Sequence, residues 1–435
     1  MIAAVLLVLL SFVTNPVANS EKYWPQWRGP FATGVAPNAK PPLQWSEEKN
    51  IRWKIEIPGK GSSSPIVWGD RVYVTTAIPT GKSAAPASPE SGDSRRRGIA
   101  ATDVLQFVLL AISRRDGKIV WQRTAVEALP HEGTHPDGTW ASNSPITDGE
   151  HIIASFGSRG LFCYDMTGKL IWQKDLGDMS TRNSFGEGNS PALHGNTLVV
   201  NWDHEGQSFI IALDKRTGKE LWKADREEPT SWSTPLVVTN AGKPQVIVNA
   251  TNRVRSYDLA DGKLVWENTG TTLNAIPSPV ATEDMVYVTG GFRGSALFAI
   301  RFAGAQGDLS NSAAVVWKYD QDTPYVPSPL LYDGKLYFLK VNSGILSCFN
   351  AKTGEPHYSR QRLESIANIY ASPVGAAGRV YLVGRDGTAL VIKNSASFEV
   401  LATNKLDDGI DASPALVDNE IYLRGRKFLY CIAEQ

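Results

Sequence analysis

Ser190-Pro191-Ala192-Leu193-His194-Gly195-Asn196-Thr197-Leu198-Val199-Val200-Asn201 reads as a short apolar strand, a tight turn and a second apolar strand. After a gap, Phe209 to Asp214 supplies a third strand, Lys215 to Lys219 a turn, and Glu220-Leu221-Trp222 the start of a fourth. Proline at the first residue of a strand removes no ladder donor, and glycine or asparagine supplies the backbone freedom that a two-residue hairpin needs. The unit is therefore one four-stranded antiparallel sheet, with strands A to D in chain order.

The same unit recurs eight times, marked by a Ser-Pro or Thr-Pro step at Pro65, Pro145, Pro191, Pro235, Pro279, Pro329, Pro373 and Pro414. Successive separations are 80, 46, 44, 44, 50, 44 and 41 residues. A period of roughly 40 to 50 residues with four strands per period is the mark of propeller blades. Asp148-Gly149, Asp333-Gly334, Gly69-Asp70 and Asp418-Asn419 suit A–B hairpins. Gly117, Gly168, Gly218, Gly262 and Gly354 suit C–D turns. Trp121, Trp172, Trp222, Trp266 and Trp317 follow these turns, with Tyr358 and Leu401 taking their place in two drifted copies. One large ring per blade predicts a packing wedge between neighbouring sheets.

The last copy ends after its C strand, Phe428 to Ala433, whereas Ile51 to Ile57, with Trp53, forms a D-like strand at the other end. Pairing the two would close the ring and remove two exposed sheet edges. The expected fold is thus all-β, an eight-bladed β-propeller of four-stranded antiparallel blades over residues 51–435, closed by its N- and C-terminal strands. An aromatic extension, residues 21–50, carries Tyr23, Trp24 and Trp27 and is expected to plug or lie against the ring. An insertion at 77–103, rich in Ser, Ala, Pro and Gly and carrying Arg95-Arg96-Arg97, reads as a flexible loop between strands B and C of blade 1.

Residues 1–20 read as a cleaved secretory signal: Ile2 to Val13 is apolar except for Ser11, and small residues lead to Ser20, although no Lys or Arg precedes the run. Export to the periplasm or cell envelope follows, with no transmembrane segment in the mature chain. The 44 basic and 44 acidic residues balance, so no global field draws nucleic acid. A monomer is expected. Cys163, Cys348 and Cys431 occupy equivalent positions in three blades, where other copies have Ala111, Ala212, Ser256 and Ala299; they read as small core residues.

Antiparallel blades send A–B and C–D turns to one face and B–C and D–A loops to the other. The second face holds nearly all the unusual residues, and its loops are where binding is expected. Three positions before each Pro stand Ser62, Ser142, Gly188, Trp232, Ile276, Val326, Tyr370 and Asp411, predicted to ring the channel mouth. B–C loops add Arg159, Arg253, Arg293, Arg385 and Arg426. The ligand-binding candidates are Trp140, Glu187, Trp202, Trp232, Asn274, Arg293, Tyr325, Asn368, Tyr370, Arg385 and Asp411. A funnel of this chemistry suits a small polar, carboxylated, glycosidic or peptide ligand, or an envelope protein; alternatively the arginines pair with acidic neighbours around a water-filled channel.

His131-Glu132-Gly133-Thr134-His135 matches the H-E-x-x-H pattern, but Pro130, Gly133 and Pro136 forbid the helix that zinc chemistry on that motif requires. No catalytic residues and no metal ligands are assigned. No G-x-S-x-G elbow, phosphate-binding loop or C-x-x-C-H haem attachment occurs.

At Ala212-Leu213-Asp214-Lys215-Arg216-Thr217-Gly218-Lys219-Glu220-Leu221-Trp222, at Asp165-Met166-Thr167-Gly168-Lys169-Leu170-Ile171-Trp172, and at the opening Trp24-Pro25-Gln26-Trp27-Arg28-Gly29-Pro30, the chain resembles the pyrroloquinoline-quinone-like β-propeller repeat family. One branch, similar to outer-membrane protein assembly factor B, implies an eight-bladed, non-catalytic envelope scaffold. The other, the quinoprotein dehydrogenases, implies an alcohol or sugar dehydrogenase holding the quinone (PQQ) with calcium. The vicinal cysteines that many such enzymes carry are lacking, and no residue here matches their calcium ligands one by one. The expectation is a binding or scaffolding propeller without a cofactor, with the quinone-dependent enzyme as the alternative.

Overall fold

The computed structural model describes residues 20–83 and 98–434. In every blade strand A begins on the residue immediately after the repeat proline, from Ile66 in blade 1 to Ala415 in blade 8. Blade 3 shows the pattern fully: Ala192–His194, Thr197–Trp202, Ser208–Asp214 and Glu220–Arg226 pair in order as strands A to D. Eight such sheets form, and blade 8 takes its outer strand from the other end of the described chain. Ile51–Glu56 pairs antiparallel with Phe428–Ala433, with Trp53 opposite Cys431.

Two details depart from the simple repeat. Blade 4 has a fifth strand, because Gly307–Asp308 adds in parallel to the outer edge of Leu264–Thr269. In blade 1, strand B runs to Ser83 and strand C starts at Asp103, so the ends of the 77–103 insertion are paired strand rather than loop. Residues 84–97 of that insertion, with its three arginines, and residues 1–19 of the signal segment lie outside the described residues. Among the described residues no helix is long and apolar enough to cross a membrane.

The repeated Trp is explained by its register. Trp121, Trp172, Trp222, Trp266 and Trp317 each lie opposite a small residue of strand C, namely Ala111, Cys163, Ala212, Ser256 and Ala299. A bulge precedes the ring in each case, for example between Ala212 and Leu213. The ring then crosses to the next blade. Trp172 Nε1 donates to the Lys215 carbonyl at 2.7 Å and Trp222 Nε1 to the Leu259 carbonyl at 2.8 Å. Cys163, Cys348 and Cys431 are buried free thiols that burial pushes up to about 12, which makes them filler rather than nucleophiles. In blade 7 the bulge puts Ala402 opposite Val391, so Ala402 and not Leu401 holds the Trp position.

The Ser or Thr of each repeat step has its own role. Its backbone N–H donates to the hydroxyl of the equivalent residue in the next blade: Ser64 to Ser144, Ser144 to Ser190, Ser190 to Thr234, Thr234 to Ser278, Ser278 to Ser328, Ser328 to Ser372 and Ser372 to Ser413. Ser413 N–H closes the circle on the Ser64 hydroxyl, and the eight bonds measure 2.9–3.2 Å. Proline holds the preceding residue extended and gives no N–H of its own, so the donor of that residue is left for the neighbouring blade.

Candidate functional site

The eight residues three positions before each proline, Ser62, Ser142, Gly188, Trp232, Ile276, Val326, Tyr370 and Asp411, all line a central channel cavity of about 130 Å³ together with the hydroxyl belt. Trp27 lines the same cavity. It is carried there by the N-terminal extension, which lies along the ends of the A strands. Trp24 exchanges backbone bonds with Val67, the Pro25 carbonyl accepts from Thr147, and Gly34 and Ala36 pair with Gly375. Arg28 is fully buried and donates to the carbonyls of Pro373 at 2.9 Å and Pro329 at 2.6 Å. Burial without a carboxylate partner pushes its guanidinium down to about 9. The extension therefore plugs the channel at its turn face.

At the loop face a second cavity, about 220 Å³, is lined by Trp232, Ile276, Tyr325, Val326, Tyr370, Phe185 and Glu187. Its roof is the D–A loop of blade 1. His135 N–H donates to the Phe185 carbonyl at 3.0 Å, and the two rings meet edge to face with centroids 4.7 Å apart. From there the loop reaches the far side of the ring, where Asp137 accepts from Arg385 Nη2 at 2.9 Å and from the Tyr370 hydroxyl at 3.1 Å. The Arg385 bond holds the Asp137 carboxyl below its usual range. Sequence reading missed Asp137, because Pro136-Asp137-Gly138 reads as an ordinary turn and carries no sign of a partner 248 residues away.

Glu187 stands where the mouth cavity meets a small enclosed space lined by Trp140, Phe107, Phe156 and Glu132. Its carboxylate accepts from Ser158 N–H at 2.6 Å and from the Ser158 hydroxyl. Enclosure of the carboxylate outweighs these bonds and, with the nearby Glu132 charge, pushes the group up to about 7. Glu132 itself accepts from Thr181 N–H and the Thr181 hydroxyl.

The other candidates are placed less uniformly. Trp140 lines the side of the mouth and donates from Nε1 to the Glu132 carbonyl at 3.0 Å. Tyr325 stacks on Phe292 at 4.8 Å, next to the exposed Arg293. Asn274 is buried and Asn368 is exposed, and neither lines the channel or mouth cavities. Trp202 is a correction: it is 2% exposed and stacks on Phe209 in the core between blades 2 and 3. Strand B of blade 3 continues one residue past Asn201, which turns Trp202 inward.

The arginines are largely paired, as the alternative reading expected. Arg159 bonds Asp178 at 2.8 Å, Arg253 bonds Glu267 at 2.7 Å, and Arg385 and Arg426 both bond Asp411, at 2.5 and 3.1 Å. The H-E-x-x-H stretch is loop, not helix. His131 faces Asp178 at 3.2 Å, and His204 Nδ1 accepts from Ser180 N–H at 3.1 Å. Among the described residues, the group with metal-ligand spacing is Asp148, Glu150 and His151, at the A–B turn of blade 2 on the opposite face. There Lys215 already bonds Asp148. Among the described residues, no cluster of three or more His, Cys, Asp or Glu side chains with metal-ligand spacing lies in the channel.

Fold and channel together define a propeller of the PQQ-like repeat type, plugged at one end and cupped at the other. Overlapping matches to residues 43–184, 105–357 and 206–434 place it within a family: the chain belongs to the family described as outer membrane protein assembly factor BamB. No curated protein matches it by sequence. Among solved structures it resembles BamB from Moraxella catarrhalis, at 13% identity and TM-score 0.54, covering 88% of this chain and 99% of that one. It also resembles a europium-containing methanol dehydrogenase, at 11% identity and TM-score 0.63, covering 94% and 90% of the two chains. A quinohemoprotein alcohol dehydrogenase from Pseudomonas putida HK5 is similar at 11% identity and TM-score 0.57, covering 96% and 81%. Likeness at this identity establishes the shared fold and leaves the chemistry to the site.

Proposed function

We propose that this chain is an exported, monomeric binding or scaffolding propeller of the cell envelope, which takes a small polar ligand or a partner protein at the channel mouth formed by its B–C and D–A loops. The observation that carries the reading is the asymmetry of the channel. Trp27 and Arg28 fill the turn-face end, whereas the loop-face end presents a cavity of about 220 Å³ walled by Trp232, Tyr325 and Tyr370. Concave sites of mixed aromatic and polar character are where ligands dock. Membership of the BamB family supports the envelope setting and a role without turnover.

Photo-crosslinking groups at Ile276 and Val326, compared with the same groups at Gly195 and Lys352 on the turn face, test the reading in intact envelopes. Adducts from the mouth positions alone are expected, and equal labelling from both faces refutes it. The competing reading is a quinone-dependent dehydrogenase. Adding the quinone with calcium to the purified chain, and following dye reduction and thermal shift, is expected to give neither. Turnover would overturn the non-catalytic assignment.

A further inference from the structure

Beside the channel mouth, on the blade 8 and blade 1 side, lies a third cavity of about 330 Å³. Among the described residues its ionisable wall consists of Lys60, Arg385 and Arg426 against Asp137 and Asp411, a net charge of +1 (three cations less two carboxylates). Asp411 is fixed from both sides by the two arginines. Asp137 differs: it belongs to the D–A loop of blade 1 and reaches over to Arg385 and Tyr370 with its side chain well exposed. The Arg385 guanidinium lies 3.9 Å from the Tyr370 ring centre, which holds its plane and aims its outer nitrogen at the Asp137 carboxylate. Behind the wall, the buried Arg424 abuts Gly61 and bonds Ser63 and Thr75, with no carboxylate in ion-pair reach among the described residues. It adds positive potential that no described neighbour cancels.

We propose that this cavity is a carboxylate-binding subsite and that Asp137 is its built-in occupant: a ligand carboxylate takes the place of Asp137 on Arg385 and Tyr370, and the roof loop is released from the far side of the ring. Moving Asp137 away raises the wall charge to +2, so the site is most attractive to an anion when its own carboxylate has left. Planar guanidinium recognition favours carboxylates, whether a uronic acid or a peptide C-terminus supplies them. The inference rests on the mouth-binding reading and specifies the ligand class.

Calorimetric titration of the full chain at low salt uses four probes: glucuronic acid and N-acetyl-trialanine, each beside its uncharged amide. One acid should bind while its amide does not, and which acid binds identifies the source. D137N should bind that acid about five- to tenfold more tightly, because it frees one charge-assisted bond on Arg385. R385Q should abolish binding, and R385K should weaken it at least tenfold if the planar fork matters; a melting curve for each shows that the fold is intact. Hydrogen exchange at residues 134–138 should rise in D137N and in the ligand complex. Equal binding of acid and amide, or no tightening in D137N, overturns the carboxylate subsite and leaves mouth binding to stand on the crosslinking result. Failure of all four probes to bind likewise overturns it, with crosslinking again the separate measure of the broader reading.

Discussion

Alanine at Gly218, set against alanine at Gly195, isolates the energy of the tryptophan wedge between blades. Both glycines sit in turns of blade 3 with left-handed backbone, φ +69 and +56. A Cβ at either costs roughly 1–2 kcal/mol in conformational strain. At Gly195 nothing lies within 4 Å of the added atom, so that is the whole cost. At Gly218 the Cβ would stand 2.8 Å from Cδ2 and Cε3 of Trp172. The ring must move, and it is also tied by its Nε1 bond to the Lys215 carbonyl at 2.7 Å. Overpacking adds roughly 1–3 kcal/mol, and a weakened hydrogen bond adds about 1 kcal/mol. G218A should therefore be less stable than G195A by about 2–4 kcal/mol. With an unfolding entropy of roughly 2.1 cal/mol/K per residue over about 400 residues, that is a further fall in Tm of about 2–5 °C, read by calorimetry on both variants. Equal melting of the two would refute the wedge as the reason for glycine in the C–D turn.

S413A leaves the buried Ser372 N–H without its acceptor and should cost about 1–3 kcal/mol in urea unfolding, whereas S413T should be nearly silent. Deleting residues 51–57 bares the edge of Phe428–Ala433 and should yield oligomers or aggregate by gel filtration; a monomer that melts like the full chain would contradict closure by that strand. Glu187 titrates near 7 in the fold against 4.5 ordinarily, so between these values the native state holds a proton that the unfolded chain has lost. Stability should fall as pH rises through that window, by at most about 3 kcal/mol. E187Q should flatten this slope in denaturation curves from pH 4 to 8; a parallel wild-type and mutant profile would show that the carboxylate is not enclosed.

Legibility differed between the fold and the site for identifiable reasons. Pro and Gly constrain backbone locally, so the strand starts and turns were readable, and the separation of Trp53 from Pro65 announced the closing strand. The bulge before each ring was not readable, which is why Leu401 stood where Ala402 belongs; nor was the continuation of strand B past Asn201, which is why Trp202 was expected at the mouth. One extra residue in a strand reverses every side chain beyond it, and no periodicity marks where that residue falls. The ring of positions before the prolines was legible because strand A is innermost in every copy. Asp137 was not, because its partners, Tyr370 and Arg385, come from blade 7, on the far side of the ring.

By itself the amino-acid sequence determined the number of blades, their strand order, the seam between the chain ends and the residues that line the channel, since each follows from short-range stereochemistry repeated at a constant period. Tertiary structure alone decided that the repeat hydroxyls join in one belt, that Arg28 and Trp27 stop one end of the channel, and that Asp137 sits on Arg385 across its mouth. Those contacts join residues tens to hundreds of positions apart, and closing the ring is what brings them within hydrogen-bond reach.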